Sequence, residues 1–435
     1  MTATTLDRGD SRKSFNLGRW VTWGCYALVL LLAPLVFDSS FSITMLSQMG
    51  IAIVACLSFN ILLGQGGMLS FGHAVYTGLA TFLAVHAMNA IAGGSLPVPM
   101  MLVPLLGGIG GMLFAVVLGF VTTKKAGTPF AMITLGIGEL VFAMSLMVPE
   151  FFGGEAGISA NRMVREPSIP GLTFGPAIHV YYLIAIYTLI ATAGMYAFTR
   201  TPLGRMLNAV RDNPERVEFI GYNTQRVRYI AFMIAGFFAG IAGGMYAMNF
   251  EISTAEVVGA HRSGAYLLFT FVGGATFFFG PIIGGILMVL ATVLLSEFTQ
   301  AWLLYLGLVF MVMVMFAPGG VASLLMINVR VASFGKFRRL IGSYVALALA
   351  GTVAFVGAAA MIEMMYHLQL NAAFGPEVKF LGLTLDASGV GSWASALAVL
   401  VVGLGLLEVA RRRFRQKWSD VQTEIQQEIH RREAA

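Results

Sequence analysis

Apolar runs long enough to cross a membrane recur along almost the whole chain, separated by short polar segments. A spanning helix needs about 20 mainly apolar residues. The composition agrees, because 57% of the 435 residues are hydrophobic and only 11% are charged, whereas a soluble domain has about 25% charged residues. A soluble fold cannot bury so much apolar surface, which excludes a cytosolic enzyme, a disordered chain and a secreted disulfide scaffold.

The sequence therefore predicts an all-α fold, a polytopic transmembrane helical bundle with about 10 core spans, about 2 extra C-terminal spans and broken helices. Cys25 and Cys56 fall in apolar runs and are interpreted as small core residues. The predicted spans are 20–37, 43–63, 71–91, 98–121, 128–148, 179–199, 228–250, 264–279, 281–296, 300–316, 341–361 and 393–410.

Basic residues concentrate in alternate loops, which orients the spans because cytoplasmic loops carry the excess of Lys and Arg. We expect residues 1–19 to form a cytoplasmic segment and not a signal peptide, since the first apolar run has no good small-residue cleavage site after it. An even number of crossings then places both termini in the cytoplasm. The net charge of +6 is interpreted as this orientation signal, with no nucleic-acid partner. The basic residues of the predicted outer loops are Arg162, Arg165, Arg262 and Lys379.

The most charged interior segment, 201–221, lies between the sixth and seventh predicted spans. Pro214 divides it and suits the first turn of a second helix. The segment is either a solvated loop on the membrane surface or a coupling helix that docks in a groove of a cytoplasmic partner. Its length of about two dozen residues favours docking, because a plain connection needs only a few. Its apolar residues are Leu203, Met206, Leu207 and Val210, with Val217, Phe219 and Ile220 as the apolar side of the second half.

Four sequence blocks in order resemble one family, the permeases of branched-chain amino acid ABC transporters, and in particular their LivM-like subunit. Segment 201–247 (TPLGRMLNAVRDNPERVEFIGYNTQRVRYIAFMIAGFFAGIAGGMYA) resembles that family's cytoplasmic loop and following helix. Block 60–74 (NILLGQGGMLSFGHA) resembles its Gly-rich element, and block 127–135 with Glu139 its fifth span. Block 273–281 (GGATFFFGP) resembles its GG-x5-GP break. The resemblance covers about residues 20–328.

The resemblance implies a permease subunit of an ABC importer, with residues 20–328 as the transmembrane domain, in a bacterial inner membrane. It implies as partners a second, LivH-like permease, two cytoplasmic ATPase subunits and a periplasmic binding protein. The chain itself has no G-x-x-x-x-G-K-[ST] motif, so we expect neither enzymatic activity nor a cofactor or metal of its own. The implied solutes are branched-chain amino acids or related small polar solutes, with urea, short amides and aromatic acids as alternatives.

The same resemblance implies that segment 201–221 contacts the ATPase. The family's coupling segment carries a degenerate E-A-A-x3-G pattern, and Glu215 and Gly221 match its Glu and Gly, although the alanines are replaced. The residues chosen as ATPase contacts are Arg205, Arg211, Asp212, Asn213, Glu215 and Gly221.

Glycines interrupt the apolar pattern at two places. Exposed backbone at membrane depth is tolerated only against protein or a water-filled cavity. The first break therefore either packs against neighbours or borders the translocation path, as discontinuous helices often do in transporters. The first break contains Gly64, Gly66 and Gly67, with Gln65, Ser70 and His73 as polar candidates for the path. The second break contains Gly273, Gly274, Gly280 and Pro281, with Phe277, Phe278 and Phe279 at its tip as lipid-facing anchors or a pore constriction.

Glu139 is an acidic residue in the middle of the fifth predicted span. A carboxylate at that depth is rare and usually faces the bundle interior. Two roles stay open: a hydrogen bond to a neighbouring helix, or a place on the translocation path beside a substrate ammonium group. Thr134 lies five positions earlier, so we expect it on a different face.

The C-terminal part lies outside the family resemblance. Residues 329–410 are predicted to add a basic link and two spans, and residues 411–435 a cytoplasmic amphipathic tail. The tail is predicted to lie on membrane lipids, to pair with a partner helix or to rest against the ATPase. Its apolar stripe contains Phe414, Trp418, Val421, Ile425 and Ile429 at helical spacing.

Two other function classes compete with the importer subunit. A stand-alone secondary transporter or channel would need intramembrane ionisable residues for its coupling ion, and only Glu139 and His73 are available. A non-transporting membrane scaffold would not need the paired glycine breaks. Both alternatives are therefore disfavoured.

Overall fold

The computed structural model describes residues 17–163, 174–370, 375–380 and 382–434. Most of the predicted segment 1–19 thus lies outside the described residues. Two short antiparallel pairs are formed by β1 (Ile158–Ser159) with β2 (Ile252–Ser253) and by β3 (Glu377–Phe380) with β4 (Leu383–Asp386). The helices are α1 Leu17–Val36, α2 Ser40–Asn60, α3 His73–Ala92, α4 Val103–Thr122, α5 Thr128–Met147, α6 Pro149–Phe152, α7 Ala177–Arg200, α8 Pro202–Asp212, α9 Pro214–Phe219, α10 Thr224–Phe250, α11 Ala260–Gly273, α12 Gly280–Val289, α13 Ser296–Phe298, α14 Trp302–Phe316, α15 Gly320–Ser333, α16 Arg338–Leu370 and α17 Val390–Ala434.

The predicted polytopic helical bundle is confirmed. Within the described ranges, nine helices are long and apolar enough to cross a membrane, or ten when α14 and α15, which bend by 50° at their junction, count as one broken span. Two predicted spans are shorter than expected: the apolar part of α1, Trp20–Val36, and α11, which ends at Gly273 and not at 279. Helix α15 was not predicted and occupies part of what was assigned as a link.

The centre of the bundle is formed by α2, α3 and α10, whose most apolar windows are 78%, 72% and 67% buried. Helix α4 packs along α10 backbone to backbone: a Cβ added at Gly111 would lie 2.5 Å from the carbonyl oxygen of Gly236. Small residues permit such close contact between helices in lipid. The abundance of glycine, 51 residues, thus has a packing role in this part of the chain.

Helix α10 connects the two ends of the bundle, since its 27 residues span about 40 Å. Helices α8 and α9 precede its N-terminus, whereas β2 follows its C-terminus and pairs with β1. We call the end with α8 and α9 the coupling end, and the end with β1 and β2 the strand end.

The C-terminal helices α16 and α17 pack against each other, and the tail of α17 folds back on its own chain. Val421 and Ile425 are buried against Val331 of α15 and Leu340 of α16, and Trp418 packs on the same cluster. Glu424 forms ion pairs with Lys336 and Arg339, at 2.8 and 3.2 Å. The described part of the predicted stripe is therefore covered by the chain itself, which removes the need for lipid or a partner there.

Replacing Ile425 by Asp is expected to release the tail, because Ile425 is 1% exposed and an unpaired charge is costly to bury. The free energy of tail docking is expected to fall by about 2 kcal/mol or more, which raises the cleavage rate of the basic tail in limited proteolysis by about tenfold or more. Thr423→Asp on the exposed face of the same helix is the control. Equal cleavage of both variants and wild type would contradict this docking.

Candidate translocation and coupling site

The first break is a change in helix type followed by an irregular segment. Helix α2 continues into a π-helical turn, Ile61–Gln65, and α3 begins only at His73. Gly67 has a positive φ of 63°, which favours glycine. A Cβ at Gly72 would lie 2.2 Å from the carbonyl oxygen of Thr134, so the irregular backbone packs on α5. This segment lies against protein, as irregular backbone at membrane depth must.

The second break turns the chain back on itself. Helix α11 ends at Gly273 and α12 begins at Gly280, with Pro281 in its first turn. Proline suits this position because the backbone N–H groups of a first turn have no partner within the helix. The two helices pack as a tight hairpin: a Cβ at Gly273 would lie 2.3 Å from the carbonyl oxygen of Gly280 and 2.7 Å from the nitrogen of Gly284. Segment 260–289 is thus a helical hairpin, with 14 residues in α11 and 10 in α12.

The two breaks meet each other, which sequence reasoning did not predict. A Cβ at Gly64 would lie 2.3 Å from the carbonyl oxygen of Ala275. The second break also contacts the junction of α14 and α15, since a Cβ at Gly274 would lie 2.6 Å from the carbonyl oxygen of Gly319. Three interruptions in the helical backbone therefore form one cluster at the coupling end.

Helix α8 docks directly on this cluster. The side-chain amide of Asn208 donates to Oε1 of Gln65 at 2.9 Å, and Nη1 of Arg211 donates to the carbonyl oxygen of Gly64. Leu207 is fully buried and faces Gly66. Two hydrogen bonds and one packing contact thus join α8 to the first break.

The other residues chosen as ATPase contacts lie around this docked helix. Arg205 and Glu215 are exposed. Asp212 forms an ion pair with Arg211 at 3.0 Å, and Asn213 caps α9 by accepting a hydrogen bond from the nitrogen of Arg216 at 2.9 Å. Gly221 ends the segment with a φ of 89°. Arg211 and Asn213 therefore have roles inside the chain, whereas Arg205 and Glu215 are free to meet a partner.

The apolar residues of α9 do not share one side as predicted. Val217 is 3% exposed and belongs to the core, whereas Phe219 is 89% exposed and Ile220 is 64% exposed. The reason is that Val217 and Phe219 are two positions apart, which places them on different sides of a helix, and that α9 ends at Phe219, before Ile220. Phe219 and Ile220 form an apolar tip at the coupling end, and we call it the α9 tip.

Ser70 and His73 lie in the packed interior. Nε2 of His73 is 2.9 Å from Oγ of Ser58, and the imidazole packs edge-on against the Phe59 ring at 5.3 Å between centroids. Ser70 and His73 are both fully buried. Their placement favours the structural interpretation over a place on an open path.

Glu139 and Phe278 lie in different surroundings. Glu139 is exposed on α5, whereas Thr134 on the same helix is buried and accepts a hydrogen bond from the nitrogen of Phe71 at 3.1 Å. The two residues thus lie on different faces, as predicted. Phe278 packs on Tyr196 of α7 at 5.2 Å between ring centroids, so it belongs to the cluster of breaks and is not a free lipid anchor.

Sequence reasoning missed two arginines at the strand end, which it counted only as loop charges. The guanidinium of Arg162 donates to the carbonyl oxygens of Phe174, Gly175, Met248 and Asn249. Its backbone nitrogen donates to Oε1 of Glu251 at 2.7 Å. It ties residues 162, 174 and 175 to the end of α10. Arg262 lies in the first turn of α11 beside Tyr246 and Tyr266. Among the described residues, no group of three or more His, Cys, Asp or Glu could hold a metal ion.

Comparison with known proteins decides the family. Residues 41–318 match the family described as "Branched-chain amino acid transport system / permease component", which is more than half of the chain. The chain belongs to this family. The matched residues include both breaks, α8, α9 and α5, and they end before α15, so α15–α17 lie outside the part common to the family.

The chain is similar to the LivM permease protein of the high-affinity branched-chain amino acid transport system of Escherichia coli, with 27% identity over 62% of this chain and 66% of LivM. It is also similar to the guanosine ABC transporter permease protein NupQ of Bacillus subtilis, with 27% identity over 27% of this chain and 39% of NupQ. The galactose/methyl galactoside import permease protein MglC of Haemophilus influenzae shares 23% identity over 68% of this chain and 90% of MglC. No solved structure matches this chain. These similarities identify a multi-pass ABC transporter permease of LivM-like type.

Proposed function

We propose that this chain is a permease subunit of an ATP-driven importer in a bacterial inner membrane, with both termini in the cytoplasm. The observation that carries this proposal is the α9 tip, beside a helix that is hydrogen-bonded to the first break. Phe219 and Ile220 expose apolar surface at the coupling end, and buried aromatic anchors supply much of the energy of protein interfaces. We assign this tip to the groove of a cytoplasmic ATPase subunit, of which the complex has two.

Exposed Glu139 supports a second, LivH-like permease as a partner. A carboxylate that faces lipid at the middle of a spanning helix is costly, and such residues face the bundle interior or a water-filled cavity. Helix α5 exposes Gly136 and Ala143 on the same side as Glu139. We propose that this face meets the second permease and lines the translocation path between the two subunits.

We propose branched-chain amino acids or related small polar solutes as the cargo, delivered by a periplasmic binding protein. The matching family is that of branched-chain amino acid permeases, and the identity to LivM, 27%, exceeds the 23% to the galactose permease MglC, although MglC matches a slightly larger share of this chain. Nucleosides, sugars, urea, short amides and aromatic acids are the alternatives for the same kind of complex.

Reconstitution tests the proposed function. Liposomes with the complete complex are expected to accumulate leucine only with the binding protein and hydrolysable ATP, and the isolated chain is expected to transport nothing. Two controls are a non-hydrolysable ATP analogue and omission of the second permease. Uptake of leucine by the isolated chain without ATP would contradict the proposal and favour a secondary transporter or channel.

A further inference from the structure

A small polar cavity lies at the strand end, away from both breaks. It has a volume of about 80 Å³ and is bordered by α2, α10, α11, α12 and the π-helical turn Leu290–Leu295. A single water needs roughly 10–15 Å³ on this scale, so the cavity has room for a small polar group. Its polar side chains are Gln48, Arg262 and Thr292, between the rings of Tyr246 and Tyr266.

Arg262 provides a positive charge that has no carboxylate within ion-pair distance in the described part of the chain, although Glu256 attracts it from farther away. Its guanidinium carbon lies 4.9 Å from the ring centroid of Tyr246, and Nε donates to the hydroxyl of Tyr266 at 3.3 Å. Glu256 is exposed, and its attraction is the weakest of the electrostatic interactions that act on the Arg262 guanidinium. An arginine has five N–H donors, so most of those on Arg262 are available to a ligand.

Arg162 shows what a purely structural arginine looks like at the same end of the bundle. Arg162 donates to four backbone carbonyl groups and lies 3.8 Å from a carboxylate oxygen of Glu251. Among the residues that the structure describes, the guanidinium of Arg262 contacts the hydroxyl of Tyr266 and the two aromatic rings. Since a guanidinium binds anions strongly through charge-assisted hydrogen bonds, the contrast shows that Arg262 keeps more N–H donors for an anionic ligand than Arg162 does.

The other walls define what kind of anion fits. Thr292 donates its hydroxyl proton to the carbonyl oxygen of Met288 at 2.8 Å, so its oxygen offers only lone pairs to a ligand. Gln48 carries an amide that donates and accepts, and Ile51 supplies an apolar wall. Thr292 belongs to a π-helical turn, a feature that is frequent at functional sites.

We propose that this cavity binds the carboxylate of a small solute, with Arg262 as its cation and Gln48 as a further hydrogen-bond donor. The lone pairs of Thr292 accept from an ammonium or hydroxyl group on the same solute. The site lies within one subunit at the end opposite α8, and it deepens the proposed function by requiring a carboxylate on the cargo. Nucleosides, sugars and urea lack that group and would not occupy it.

Ligand binding to the full-length chain in nanodiscs tests this site, by thermal stability and by calorimetric titration. Leucine, 4-methylpentanoate and benzoate are expected to stabilise the chain, whereas leucinamide and isoamylamine, which lack the carboxylate, are not. Arg262→Gln is expected to weaken carboxylate binding by about tenfold or more, the usual effect of losing a charge-assisted hydrogen bond. Arg262→Lys retains part of the affinity, and His261→Gln, at the exposed neighbouring position, is the control.

A further variant and the contradicting outcomes complete this test. If Arg262→Gln does not fold, Gln48→Leu replaces it and is expected to weaken carboxylate binding by a smaller factor. Equal stabilisation by leucine and leucinamide, or no stabilisation by any of the carboxylates at millimolar concentrations, would overturn the site. Because the binding is measured without ATPases, failure of ATP-driven uptake would contradict the proposed function and leave this site standing.

Discussion

Adding one methyl group at Gly273 is expected to destabilise the folded chain by about 3 kcal/mol or more, at the upper end of overpacking effects. The new Cβ would lie 2.3 Å from the carbonyl oxygen of Gly280 and 2.7 Å from the nitrogen of Gly284. Both are backbone atoms, so no side chain can rotate away. Helices α11 and α12 must therefore separate, which disrupts the contact between the two breaks.

The measurement is the unfolding of Gly273→Ala in detergent, together with uptake by the complex. Gly264→Ala is the matched control, because Gly264 lies on the same helix with no atom within 4 Å of its added Cβ. That control is expected to be neutral or to stabilise α11 by up to about 1 kcal/mol, since alanine favours helices over glycine. Equal stability of both variants would mean that the hairpin tolerates a wider separation than the structure shows.

The number and kind of elements could be predicted from the sequence because each depends on local composition. Apolar runs and their flanking charges predict spanning helices wherever they occur, and glycines within those runs mark both breaks, joined by Pro281 at the second. Helix α11 ended earlier than predicted because apolar residues after Gly273 belong to the turn, not to a helix. Hydropathy does not distinguish an apolar turn that is buried in protein from the last turn of a spanning helix.

The meeting of the breaks could not be predicted, because it depends on contacts between residues far apart in the chain. Gly64 touches Ala275, and Arg211 donates to Gly64. The same limit applies to Arg262, which a count of loop charges treated as solvated. The available signal was a tyrosine, Tyr266, four positions after Arg262 on the same helix. The second tyrosine, Tyr246, comes from another helix and could not be inferred.

For the C-terminal tail, the sequence predicts which side of the helix is apolar but not which surface covers that side. Its apolar stripe was correctly located, since helical spacing alone predicts which side of α17 is apolar. The sequence left lipid, a partner helix and the ATPase as possible surfaces, because a stripe does not specify what covers it. The structure places Val421 and Ile425 on α15 and α16, and the C-terminal part of α15, from residue 329 onwards, had been assigned as a link.

Replacing Phe219 by Asp is expected to weaken binding of the cytoplasmic ATPase by about 30-fold or more. Phe219 is 89% exposed at the α9 tip, where an aromatic side chain gains energy only if a partner buries it. Truncation of such an anchor costs about 2 kcal/mol or more at protein interfaces. The aspartate adds the cost of desolvating a charge in an apolar groove, whereas Phe219→Leu keeps most of the apolar contact and is expected to bind well.

Binding of the purified ATPase subunit to the chain in nanodiscs measures this effect, beside leucine uptake by the full complex. Phe298→Asp is the matched control, because Phe298 is 84% exposed and follows α12 towards the strand end, away from α9. That control is expected to leave ATPase binding unchanged. If Phe219→Asp also binds with wild-type affinity, the α9 tip does not enter the ATPase, and the exposed charges of Arg205 and Glu215 become the remaining contacts. If binding falls but ATP-driven uptake persists at the wild-type rate, docking at the tip is not needed for coupling, and the hydrogen bonds from α8 to the first break have only a structural role.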